Sequence, residues 1–96
     1  MMNIKGTETM TLSVEADAVY HITYRSGDVV DILNSTEEDV SIEAKPAQDV
    51  FDSEGIVVGT TAITLPSGVA RNNLELDFGA LTITPAASGN VVIVRH

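Results

Sequence analysis

Apolar and polar residues change places at every step of Met10-Thr11-Leu12-Ser13-Val14-Glu15. In an extended chain this sets Met10, Leu12 and Val14 on one side and Thr11, Ser13 and Glu15 on the other. The same period of two returns in Val40-Ser41-Ile42-Glu43-Ala44, in Thr61-Ala62-Ile63-Thr64-Leu65 and in Leu74-Glu75-Leu76-Asp77-Phe78. No window sustains a 3.6-residue period with a cap, so helix has almost no claim on this chain. A strand with one greasy face must lay it against a second layer, and the chain is therefore expected to build a sheet-on-sheet fold.

Turn residues punctuate the alternating runs. Residues 19–25 are rich in aromatic and β-branched side chains, and Ser26-Gly27 leads from them into Asp28-Val29-Val30-Asp31-Ile32-Leu33, which reads as a tight hairpin. Asn34-Ser35-Thr36-Glu37-Glu38-Asp39 reads as a polar loop, because these side chains compete for backbone hydrogen bonds. Val50-Phe51 and Ile56-Val57-Val58 flank Ser53-Glu54-Gly55 as a second hairpin or a bulged edge. Pro66-Ser67-Gly68 ends one strand, 69–73 is an irregular crossing, and Gly79-Ala80 and Ala86-Ala87-Ser88-Gly89 separate the last strands. Eight or nine strands at such spacing, without Cys or Trp, predict one antiparallel two-layer β-sandwich, jelly-roll-like, over residues 1–96, with 1–8 a flexible N-terminal segment. A small closed β-barrel is the alternative.

Fourteen carboxylates against five Lys and Arg give a formal charge of -9, which repels phosphate backbones and anionic headgroups. Nucleic acid and membrane are therefore not expected partners. With no Cys there is no disulfide framework, thiolate metal site or cysteine nucleophile. The opening residues carry no basic stretch followed by an apolar one, which implies cytoplasmic synthesis without a signal peptide or transmembrane segment. Asn34-Ser35-Thr36 matches the glycosylation acceptor pattern, but without a secretory signal the match is read as chance.

No catalytic or metal-binding constellation is assembled, and no cofactor is expected. Nucleophilic hydrolysis needs a displayed Ser with a base behind it, and no G-x-S-x-G elbow occurs. His21 sits mid-strand between Tyr20 and Ile22, and His96 is the last residue, expected to be mobile. Two such His cannot furnish a cupin-type metal centre. The acidic sets Asp49, Asp52, Glu54 and Glu37, Glu38, Asp39 lack EF-hand spacing and read as solvated loops. Tyr20 and Tyr24 are the aromatic candidates for a glycan platform, but they share a face with Ile22, which favours the core.

What the chain does offer is strands apolar on both sides. Val91-Val92-Ile93-Val94 is one; Asp28-Val29-Val30-Asp31-Ile32-Leu33 is another, with Val30 and Ile32 on one face and Val29 and Leu33 on the other. Ile56-Val57-Val58 is a third. Val29, Leu33, Val92 and Val94 are therefore the candidate interface residues, for self-association or docking onto other structural proteins.

The hairpin 20–33, the run Ile63-Thr64-Leu65-Pro66-Ser67-Gly68, the strand Leu74-Glu75-Leu76-Asp77-Phe78-Gly79 and the ending Gly89-Asn90-Val91-Val92-Ile93-Val94-Arg95 resemble the small β-domains of structural and accessory proteins in tailed-phage virions. The resemblance implies a non-enzymatic virion component, an oligomeric decoration, fibre or tail-associated domain, with no catalytic residues to carry across. The sequence-based expectation is thus a structural assembly subunit. The alternative is a carbohydrate- or calcium-dependent surface-binding module.

Overall fold

The computed structural model describes residues 2–44, 49–51, 53–55, 57–60, 62–76 and 79–96. Among them are eleven strands: β1 Met2–Lys5, β2 Thr9–Val14, β3 Tyr20–Thr23, β4 Asp28–Thr36, β5 Val40–Glu43, β6 Asp49–Phe51, β7 Val57–Thr60, β8 Ile63–Leu65, β9 Ala70–Leu76, β10 Ala80–Pro85 and β11 Gly89–Arg95. One sheet has the order β1-β3-β10-β5-β8 and a second the order β2-β11-β4-β9, while β6 and β7 pair only with each other. All neighbours in the two large sheets run antiparallel except β1, which joins β3 in parallel. No described helix is long and apolar enough to cross a membrane.

The pairing is nested. β2 lies beside β11, β3 beside β10, β4 beside β9 and β5 beside β8, so the chain folds like one long antiparallel hairpin whose tip is β6–β7. Rolling that hairpin up brings β11 against β4 and β10 against β5, and these contacts complete the two sheets. This is the jelly roll that the strand spacing led us to expect, and both sheets keep free edges rather than closing into a barrel.

Alternation places the core. Leu12 and Val14 of β2, Val30 and Ile32 of β4, Leu74 and Leu76 of β9, and Val91 and Ile93 of β11 face Tyr20, Ile22, Val40, Ile42, Leu65, Leu81 and Ile83 of the opposite sheet. Each such side chain contributes about 1.5 to 3 kcal/mol by leaving water, and with few aromatics available the interior is mostly Ile, Val and Leu. Phe78, expected to point inward after Leu76, lies outside the described residues.

Two expectations are corrected. Residues 20–33 do not form a hairpin, because β3 belongs to the five-stranded sheet and β4 to the other; the Ser26-Gly27 turn crosses between layers. Inward residues on both strands satisfy either arrangement, so the alternation could not tell a hairpin from a crossover. Residues 34–36 are not loop: β4 runs through Thr36, and Asn34 and Thr36 are buried. Residues 1–8 include an edge strand, and Gly6 continues it by donating to the Thr23 carbonyl at 2.7 Å. The hairpin expected around Ser53-Glu54-Gly55 is present as β6 and β7, with an irregular register.

Gly79 is held at the β9–β10 corner by geometry that only glycine tolerates. Its φ is +66°, and a Cβ there would sit 2.5 Å from the Tyr24 carbonyl oxygen. That close approach lets Tyr24 donate its N–H to the Gly79 carbonyl at 2.7 Å, which stitches the β3–β4 turn to the β9–β10 corner.

Candidate functional site

The outer face of the four-stranded sheet gathers all four interface candidates. Along β11, Val91 and Ile93 go inward, so Val92 and Val94 must stand on the outside. Register sets Val92 opposite Leu33 of β4 and Thr11 of β2, and sets Val94 opposite Asp31 and Thr9. Leu33 in turn faces Ala70 of β9, and Val29 faces Glu75. Leu33 and Val94 are 36% and 37% exposed, so this chain leaves both open to solvent, while Val29 and Val92 are half-buried. The result is a small apolar centre on a sheet face, bordered by Thr9, Thr11, Asp31 and Glu75. Ala70 extends it. This residue was not foreseen, since 69–73 carries no alternation to mark it as a strand.

One charged group on that border is held in place. A register shift between Val30 and Ile32 lets β9 bulge, with Asn73 at φ 56°, and the Asn73 N–H donates to Asp31 Oδ1 at 2.8 Å. His96 Nε2 lies 2.9 Å from the same oxygen, and the His96 N–H donates to the Val29 carbonyl. The His96 hydrogen bond first, and then the Asn73 N–H, hold the Asp31 carboxyl below its ordinary value. His96, expected to be mobile, is thus tied to β4 by its backbone and its ring.

A second feature is a cleft of about 580 Å³ where β1, the β3–β4 turn and the end of β11 meet. Lys5, Arg25 and Arg95 line it, with Thr23, Tyr24 and Asp28. Asp28 Oδ2 accepts the Arg25 N–H at 3.0 Å, and none of the three basic side chains has an ion-pair partner among the described residues. Burial pushes the Tyr24 hydroxyl above its ordinary value, while nearby Arg95 pulls it down and Asp28 adds to the rise. The ring packs against Gly6, where a Cβ would come within 2.4 Å of it, and the hydroxyl lies 3.1 Å from the Thr7 carbonyl oxygen.

The remaining candidates are placed as follows. Tyr20 is 3% exposed and accepts the Glu15 N–H on its hydroxyl at 2.8 Å; Tyr24 is 9% exposed, so neither ring offers an open face for a sugar. His21 Nδ1 lies 2.9 Å from Thr82 Oγ1, on the outer side of the five-stranded sheet. Asp49 and Asp52 lie outside the described side chains, and among the described residues no three His, Asp or Glu are grouped to hold a metal ion.

A buried polar network closes the other end of the sandwich. Asn34, fully buried, donates its two Nδ2 protons to the carbonyl oxygens of Glu38 and Leu65, each at 2.8 Å, and accepts the Thr36 N–H on Oδ1 at 2.9 Å. Its backbone is paired as well, to Val69 O and Gly68 N. The network pins the β4–β5 loop, and it withdraws the Asn34 amide from any modifying enzyme.

Fold and topology define the chain as a jelly-roll β-sandwich. Compared with protein-family models, curated proteins and solved structures, it matches none.

Proposed function

We propose that this chain is a non-catalytic structural subunit that works by contact, with a second copy of itself as the partner of the four-stranded sheet face. The observation that carries this is the cross-strand pair Leu33 and Val92 with Val94 beside it, on a face where Leu33 and Val94 stand exposed among the described residues. Exposed apolar sheet faces are covered most simply by another sheet about 10 Å away. The patch also has an apolar middle able to meet its own copy across a two-fold axis, with the hydroxyls of Thr9 and Thr11 on part of its rim. A component of a tailed-phage virion is the setting that the sequence resemblance supports.

Light scattering after size exclusion tests it. Self-association at high micromolar concentration is expected, and Val92→Lys should weaken it at least about tenfold, because a charge would be buried in the contact. A strict monomer under those conditions, or association indifferent to Val92→Lys and Val94→Lys, refutes the proposal.

A further inference from the structure

Opposite ends of the sandwich carry an acidic set of loops and a cleft lined by cations. One end is made by the loops 15–19, 37–39, 66–69 and 86–88, which carry Glu15, Asp17, Glu37, Glu38 and Asp39 and no Lys, Arg or His. All five carboxylates are on exposed residues. The other end lies a β4 length away, about 26 Å for eight steps of a strand. There Lys5, Arg25 and Arg95, three of the chain's five basic residues, line one cleft, with Asp28 the one carboxylate among its described lining residues.

Both halves are built rather than incidental. In a chain with fourteen carboxylates, three cations converge on one hollow and none of them is ion-paired among the described residues. The Glu37-Glu38-Asp39 loop is fixed from beneath. Buried Asn34 holds the Glu38 carbonyl at 2.8 Å, Thr36 Oγ1 lies 2.9 Å from the same oxygen, and the Asp39 carbonyl accepts the Ala86 N–H at 3.0 Å. A loop ordered before it binds loses little freedom on binding.

We infer that the Glu37-Glu38-Asp39 loop of one copy seats in the Lys5, Arg25 and Arg95 cleft of the next, joining copies end to end. The two surfaces lie at opposite ends, so the contact is heterologous and propagates into a chain or closes into a ring. It uses none of the sheet-face residues and stands independently of the function proposed above. Salt separates the two contacts. At about 0.1 M salt the Debye length is about 10 Å, which damps the mutual repulsion of two acidic molecules but leaves close pairs across the seat attractive; at higher salt those pairs weaken while an apolar contact does not.

The experiment uses the full chain carrying Val92→Lys and Val94→Lys, so that the sheet face cannot contribute, and sedimentation velocity as the readout. At about 0.1 M salt this protein should associate, and its association constant should fall roughly tenfold or more by about 0.5 M. Adding Glu37→Lys with Glu38→Lys, or instead Lys5→Glu with Arg25→Glu, should leave each protein monomeric. An equimolar mixture of those two proteins should associate again, because each then offers what the other lacks, and this recovery also shows that neither variant is misfolded. Absence of association in the parent, association insensitive to salt or to either reversal, or a mixture that stays monomeric overturns the inference.

Discussion

Thr36 Oγ1 lies 2.6 Å from Asn34 Oδ1, in the interior of a sandwich filled mostly with aliphatic side chains. The hydroxyl has one proton for this oxygen and for the Glu38 carbonyl, while the Asn34 amide spends both of its own protons on main-chain carbonyls. Asn34→Ala would leave the Leu65 and Glu38 carbonyls and the Thr36 N–H without this partner in a dry setting. A loss of about 3 kcal/mol is expected, read as a lower urea midpoint with an unchanged slope. An Asn34→Ala protein as stable as the parent would show that water satisfies these groups.

Inward and outward residues of β11 should respond differently to truncation. Ile93→Ala opens a cavity between the sheets and should cost about 2 to 5 kcal/mol, whereas Val94→Ala removes surface that is already in water and should stay within about 0.5 kcal/mol. Thermal unfolding of dilute protein, where association does not contribute, measures both. Equal effects would contradict the facing of this strand.

Gly79→Ala combines a left-handed backbone with a Cβ aimed at the Tyr24 carbonyl. A destabilisation of about 1 to 3 kcal/mol is expected. For a chain of this size that is a fall in Tm of several degrees per kcal/mol. Ala tolerated at this position would mean that the β9–β10 corner relaxes away from Tyr24.

Asp31 makes a pH-dependent contribution whose sign follows from its depressed carboxyl value. A group that is more acidic folded than unfolded stabilises the fold above its unfolded value, about 3.9 for aspartate, and loses that effect as pH falls through the folded value. Asp31→Ala should therefore unfold more easily than the parent near neutral pH, and the two stability curves should converge as pH falls through the folded value of the carboxyl. Curves separated by a constant gap down to acid pH would show that the carboxylate is not the cause.

Much of the architecture was legible. Period-two runs identified β2, β5, β8 and the end of β9, whose first four residues carry no alternation, and the inward residues Leu12, Val14, Ile42, Leu74 and Leu76. The candidate face was legible too, because Val92 and Val94 can leave the core only on the side away from Val91 and Ile93. Asn34 and Thr36 were misread for their polarity, although they continue the inward series Val30, Ile32 at steps of two. That parity was the signal for a longer strand. The basic cleft left no local trace, since Lys5, Arg25 and Arg95 are scattered along the chain.

The sequence by itself determined that this chain is made of strands, and which side of most strands is greasy, because the two-residue repeat of an extended backbone is a local property. Only the tertiary structure decided which strands pair. Ladder bonds join backbone groups that are the same in every residue, and a short turn such as Ser26-Gly27 serves equally for a hairpin or for a step between layers. The nested order, the meeting of Leu33 with Val92, and the separation of acidic loops from a basic cleft all follow from that choice.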